Sequence, residues 1–90
     1  MANRYWVGGS GTWDTTSTTN WSTTSGGAGG ASAPTAADAV FFNGSSGGGT
    51  CTLGENVSCL TMRYDTYTGT FAFGTNKISI AGNGATVVNG

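Results

Sequence analysis

Phe71-Ala72-Phe73-Gly74-Thr75-Asn76-Lys77-Ile78-Ser79-Ile80 decides the class of fold. Phe71 and Phe73 fall on one side of an extended chain and Ala72 on the other; beyond a polar turn, Ile78 and Ile80 repeat the pattern around Ser79. Alternation with a period of two marks a strand with one buried face. Nowhere do apolar residues recur at helical spacing over a useful window, so the chain reads as all-β with no helices of note. Working outward, the same reading places strands at 3–7, 38–43, 49–53, 57–63, 69–73, 76–81 and 84–88, each bounded by Gly, Asn or Asp. In the back half, strand centres near Thr52, Leu60, Ala72, Ser79 and Val87 recur every seven to twelve residues. That spacing suits a stack of coils, a short β-solenoid-like fold, and equally a meander of hairpins forming a small β-sandwich.

The 90 residues make a single domain spanning 1–90, of a size that buries a modest fraction of its surface and gains from help by a partner. Seventeen Gly, 16 Thr and 9 Ser leave few side chains able to fill a core. Ten aromatics and a net charge of −1 nevertheless set the chain apart from disordered sequences, which lack the first and carry more of the second. Cohesion must therefore come from a few large residues, above all Trp6, Trp13 and Trp21. Between Thr23 and Thr35 runs Gly26-Gly27-Ala28-Gly29-Gly30-Ala31-Ser32-Ala33-Pro34, with the composition of a linker. It reads as a surface loop, or as a flexible arm over about 23–35 that gains order against a neighbouring subunit.

The charged residues are Arg4, Arg63 and Lys77 against Asp14, Asp38, Glu55 and Asp65, with no patch of either sign. Three dispersed cations do not neutralise a phosphate backbone, so nucleic acid is not an expected partner. The opening Met1-Ala2-Asn3-Arg4-Tyr5-Trp6 has no apolar stretch of signal-peptide or membrane-helix length, which points to synthesis in a cytoplasm and no membrane partner.

Histidine, the commonest general base, does not occur in the sequence. The four acids share no motif that would pair them for glycoside hydrolysis, and they read as turn residues that cap local backbone donors. No catalytic, cofactor-binding or metal residues are expected, and the chain reads as a non-enzyme without cofactors. Gly8-Gly9-Ser10-Gly11 lacks the Lys of a phosphate loop and is a turn. Asn20-Trp21-Ser22, Asn43-Gly44-Ser45 and Asn56-Val57-Ser58 match the glycosylation pattern, which carries no weight without secretion. If Gly54-Glu55-Asn56 closed a hairpin, Leu53 would face Val57 and Cys51 would face Cys59, near enough for a disulfide. A reducing compartment favours two free, buried thiols instead.

Tryptophan and tyrosine serve as core, as interface anchors or as platforms for sugar rings. Candidates for interface contact are Trp6, Trp13, Trp21, Pro34, Phe41, Tyr64 and Tyr67, the two tyrosines flanking a turn at Asp65-Thr66.

Trp6-Val7-Gly8-Gly9 with Gly11 and Trp13-Asp14, then Thr19-Asn20-Trp21-Ser22, then Pro34 with Asp38-Ala39-Val40-Phe41-Phe42, resembles the opening block of repetitive β-rich proteins. Such blocks occur in bacterial autotransporter-like surface proteins and in structural proteins of tailed phages, where a right-handed β-solenoid follows. The resemblance covers about residues 4–42, and residues 50–88 in style. Surface adhesins of this kind are long, whereas ninety residues give two or three coils with open ends. The resemblance therefore implies a phage virion protein, a capsid decoration or cement protein that binds the major capsid protein and associates as a homotrimer. Its second implication is a tail-fibre or cell-surface module that binds host glycans.

Overall fold

The computed structural model describes residues 2–82 and 86–89. The described residues form ten strands: β1 (Asn3–Trp6), β2 (Gly11–Trp13), β3 (Trp21–Ser22), β4 (Ala39–Phe42), β5 (Thr50–Leu53), β6 (Val57–Cys59), β7 (Thr61–Tyr64), β8 (Thr70–Ala72), β9 (Lys77–Ile80) and β10 (Thr86–Asn89). The one helical element among the described residues is a 3-10 turn at Gly44–Ser46. Asn43 caps it by accepting from the Ser45 N–H, while the Ser46 hydroxyl accepts from the Asn43 N–H. The fold is all-β.

The strands lie in three sheets, ordered β3-β1-β4-β7, β2-β5-β8 and β10-β9-β6. Pairing is parallel for β1 with β4, β4 with β7, β2 with β5, β5 with β8 and β6 with β9. The chain thus visits the sheets in turn and then returns to each beside its previous visit. In register, Ala39 lies against Thr61, Cys51 against Phe71 and Val57 against Ile78, so successive passes are offset by 22, 20 and 21 residues. The first pass, β1 and β2, is followed by the longer excursion through 14–38 before β4 begins. Two strands pair antiparallel: β3 on β1 at one end of its sheet, and β10 on β9 at the end of another.

Period-two alternation decides what fills the interior. In the middle pass Val40, Phe42, Cys51, Leu53, Val57 and Cys59 are all buried. The next pass sets Met62 on Val40, Phe71 on Cys51, Ile78 on Val57 and Ile80 on Cys59. Outward positions carry a different column in each sheet. One sheet shows Tyr5, Phe41 and Arg63 side by side, and another Thr12 and Thr52.

Trp6, Trp13, Trp21 and Phe42 close the interior of the first two passes, each 0% exposed. Trp21 meets Trp6 and Trp13 edge-on at centroid distances of 5.1 and 5.2 Å. Phe42 lies 5.6 Å from Trp6 and 5.8 Å from Trp13. Such pairs contribute about 0.5–1.5 kcal/mol each beyond their area.

Glycine is needed where the passes crowd at the corner between the first two sheets. Gly47 has φ +89° and a Cβ there would lie 2.8 Å from the Gly9 Cα. A side chain at that position would meet both backbone strain and a neighbouring main chain.

Three sequence-based expectations are corrected. Gly54-Glu55-Asn56 does not close a hairpin: β5 and β6 belong to different sheets. The turn is bonded outward to neighbouring passes, with the Gly54 N–H on the Trp13 carbonyl and the Lys77 N–H on Asn56 Oδ1. The strand expected at 57–63 is two, broken at Leu60, whose N–H bonds the Asp38 carbonyl. β2 and β3 were not anticipated, because three-residue and two-residue strands among Gly and Thr carry too little alternation to read. Of the strand expected at 84–88, residues 84 and 85 lie outside the described residues.

Replacing Trp13 by Ala is expected to destabilise the fold by about 3–5 kcal/mol. For a domain of this size that is a large fraction of the total. Urea unfolding followed by circular dichroism should show either a large fall in midpoint or no folded baseline. An unchanged midpoint would remove Trp13 from the core.

Candidate interaction surfaces

The expected interface residues separate by burial. Trp6, Trp13 and Trp21 are interior, so none is available to a sugar ring or a subunit contact. Pro34 is buried too, and Tyr67 is only 7% exposed. Phe41 is half-buried and Tyr64 is 56% exposed.

The Gly-rich segment at 23–35 lies on its own chain instead of extending as a free arm. Its Gly30 and Ala31 N–H groups donate to the carbonyls of Thr18 and Trp21. Arg4 reaches across with Nε on the Ser32 carbonyl and Nη2 on the Ser32 hydroxyl, both at 2.7 Å. Ala33 and Pro34 then sink into the body while Ala31 packs on the aromatic cluster. The small side chains allow this close apposition: a Cβ on Gly27 would collide with the hydroxyls of Ser22 and Thr24.

Cys51 and Cys59 are free and fully buried. Burial in apolar surroundings pushes their thiols from the ordinary 9.0 up to about 12 and about 11 respectively. These are structural side chains, since the thiolate is the reactive form.

Three of the four acids are tied into turns. Asp14 accepts from the N–H groups of Ser17 and Thr16 and from their hydroxyls, and the bonds from Ser17 and Thr16 hold its carboxyl below the ordinary 3.8. At Asp38 burial works to raise the carboxyl. The opposing bonds from the Thr35 N–H, the Ala2 N–H and the Thr35 hydroxyl, with the charge of Arg4, hold it below its ordinary value. Glu55 accepts from the Thr15 N–H and hydroxyl, stapling the corner after β5 to the first pass. Asp65 differs: among the described residues its carboxylate has no hydrogen-bond partner. No cluster of three potential metal ligands occurs among the described residues.

Two surfaces remain. The first is the end of the stack formed by the third pass. β7 and β8 are the terminal strands of their sheets among the described residues. Their inward positions continue the buried rows but lack a further layer, so Met62 and Phe71, with Phe73 just beyond β8, are only partly buried. Tyr64 is in register with Phe42, whose exposure is 0%, yet stands out at 56%. It is held edge-on to Tyr67 at 5.5 Å and beside Phe71 at 5.7 Å. At the opposite end β3 and Trp21 cover β1 while β2 and β6 are terminal among the described residues, just as β10 covers β9 at this end.

The second surface is a pocket of about 220 Å³ on the outer face of the first sheet, lined by Phe41, Phe42, Asn43, Arg63 and Asp65. Of these, sequence reasoning singled out Phe41 alone. Arg63 and Asp65 are two residues apart in sequence, but their meeting with Phe41 and Asn43 depends on the parallel register of β4 and β7. The alternation at Phe71 and Phe73 reads as a buried face, and no local signal says that the stack ends above them.

Comparison with protein-family models, with curated proteins and with solved structures finds no match for this chain.

The cysteines give a test of the interior. A disulfide-exchange reagent at pH 8 is expected to label neither thiol in native protein and both in urea. The folded thiols titrate near 12 and 11 against 9.0 when exposed, so the unfolded chain loses protons first. Their contribution to stability is complete below about pH 9 and is lost as the pH rises through the folded values. Rapid native labelling, or stability that climbs with pH in that window, would contradict the burial.

Proposed function

We propose that the chain is a non-catalytic structural protein of a phage virion, a short β-solenoid of three coils that decorates and stabilises the coat shell. One observation carries the reading: at the third-pass end β10 covers β9 alone, and among the described residues β7 and β8 present two free strand edges beside the partly buried Met62, Phe71 and Phe73. An exposed strand edge is a template for pairing with another chain, and soluble proteins ordinarily guard it with charge, proline or a covering segment. Here the edge strands read Thr61-Met62-Arg63-Tyr64 and Thr70-Phe71-Ala72, with a single charge between them. The occupant is a coat subunit that pairs with β7 and covers Met62, Tyr64 and Phe71. Each 100 Å² of apolar surface so removed from water contributes about 2.5 kcal/mol before the costs of association. Repetition over a capsid multiplies a small gain per copy.

The solenoid architecture is part of the proposal, supported by the 20–22 residue offset between passes; its right hand is the rule for crossovers between parallel strands of one sheet. The resemblance of residues 4–42 to the opening blocks of phage structural proteins supports the virion setting.

Sedimentation with emptied or expanded capsids of the encoding phage tests the proposal. The chain is expected to co-sediment, and Tyr64→Lys to weaken binding by at least about thirtyfold, the effect of losing an aromatic anchor. Tyr64 is exposed, so the variant should unfold at the same urea concentration as the parent. Failure to bind, association only with its own copies, or unchanged binding of Tyr64→Lys would overturn the reading.

A further inference from the structure

We infer that the pocket on the outer face of β4 and β7 is a binding site for one uncharged pyranose unit of a saccharide. The inference does not rest on the capsid proposal: the pocket opens on the outer face of β4 and β7, whereas that proposal uses the free edge of β7.

The wall of the pocket is built by register. Tyr5, Phe41 and Arg63 occupy equivalent outward positions on three adjacent parallel strands. Tyr5 and Phe41 stack with centroids 4.6 Å apart and planes at 17°. One face of Phe41 is therefore fixed against Tyr5, leaving its other face towards Arg63. A flat, pre-ordered aromatic face beside polar groups is what a sugar ring requires, because a pyranose has an apolar C–H face and a rim of hydroxyls. Aromatic rings supply such contact area at little entropic cost.

The polar groups complete the match. Among the described residues neither the Arg63 guanidinium nor the Asp65 carboxylate has a hydrogen-bond or ion-pair partner, although both line one pocket. Arg63 offers donors only and Asp65 acceptors only. Vicinal hydroxyls, each donor and acceptor at once, satisfy both. Asn43 contributes wall, because its amide is engaged with the Ser25 hydroxyl and the Ser45 N–H. The two charges cancel, which disfavours phosphate or carboxylate ligands. A volume of about 220 Å³ admits one ring and is smaller than sites for drug-sized ligands.

Backbone geometry next to Asp65 gives independent support. Thr66 has φ 58°, the only positive value outside glycine among the described residues. A β-branched residue there is a genuine outlier, and such strain concentrates at ligand sites. The Thr66 hydroxyl holds it in place, accepting from the Gly44 N–H and donating to the Asp65 carbonyl. That arrangement fixes the turn that carries Asp65.

The experiment is a titration of the isotope-labelled chain, followed by amide chemical shifts, with methyl glycosides of glucose, galactose, mannose and rhamnose. At least one is expected to shift the amides of Phe41, Asn43, Arg63 and Asp65 saturably. Asp65→Asn and Arg63→Ala should each weaken that response about tenfold, the loss of a charge-assisted hydrogen bond. Both side chains are exposed and unpaired, so the variants should keep the parent's unfolding midpoint. No shifts with any of the four sugars, shifts scattered away from the pocket, or affinity indifferent to both substitutions would overturn the inference. Loss of capsid binding would not bear on it, and sugar binding would leave the capsid proposal to its own test.

Discussion

The packing of Trp6, Trp13, Trp21 and Phe42 is the interaction on which the rest of the structure depends. These four rings are fully buried in a chain whose commonest residues have short side chains. Each ring comes from a different strand, so the cluster exists only when β1, β2, β3 and β4 are assembled. The parallel ladders extend that order from one pass to the next, and the smaller residues Val40, Cys51, Leu53, Val57 and Cys59 fill the interior that remains. Thr, Ser and Gly then have two tasks, facing water on the outer columns and letting the passes approach at the corners. Two buried indole N–H groups, of Trp13 and Trp21, have no hydrogen-bond partner among the described residues, while Trp6 donates to the Gly9 carbonyl. Aromatic packing outweighs what those two groups lose, since an unmet donor costs about 1–3 kcal/mol and a buried Trp contributes more.

The alternation at Phe71-Ala72-Phe73 and Ile78-Ser79-Ile80 was enough to read an all-β chain and most of its strand positions. It was not enough to choose the partner of each strand. Period two says which side chains share a face and is silent on whether the next strand turns back beside its predecessor or round a corner into another sheet. At Gly54-Glu55-Asn56 the deciding facts are long-range: the Trp13 carbonyl and the Lys77 N–H, more than 20 residues away in either direction along the chain, take the bonds that a hairpin would have kept for itself. The Gly-rich segment misled for a related reason. Its composition is that of a linker, yet Arg4, Thr18 and Trp21 give it partners that no local window contains.

The candidate surfaces were less legible than the fold. The tryptophans drew attention because they are large, and large side chains in a small polar chain are the first to be buried. What stays outside is decided by where the stack stops. Tyr64 and Phe42 are equivalent in register and differ because one has a strand on each side and the other is on the last pass. Phe41 and Phe42 are adjacent and differ by the face they take, one stacked outside on Tyr5 and the other inside among the indoles. The free edges of β7 and β8 and the outer pocket thus follow from one geometry, parallel passes of alternating side chains.

That geometry is tested most directly by the nuclear Overhauser pattern between backbone protons of β5 and its neighbours. The account predicts amide-to-Hα contacts typical of parallel pairing between the segments around Cys51 and Phe71 and around Gly11 and Cys51, with none linking Cys51 to Cys59. Strong Hα-to-Hα contacts between Leu53 and Val57 or between Cys51 and Cys59, the signature of an antiparallel hairpin, would contradict it.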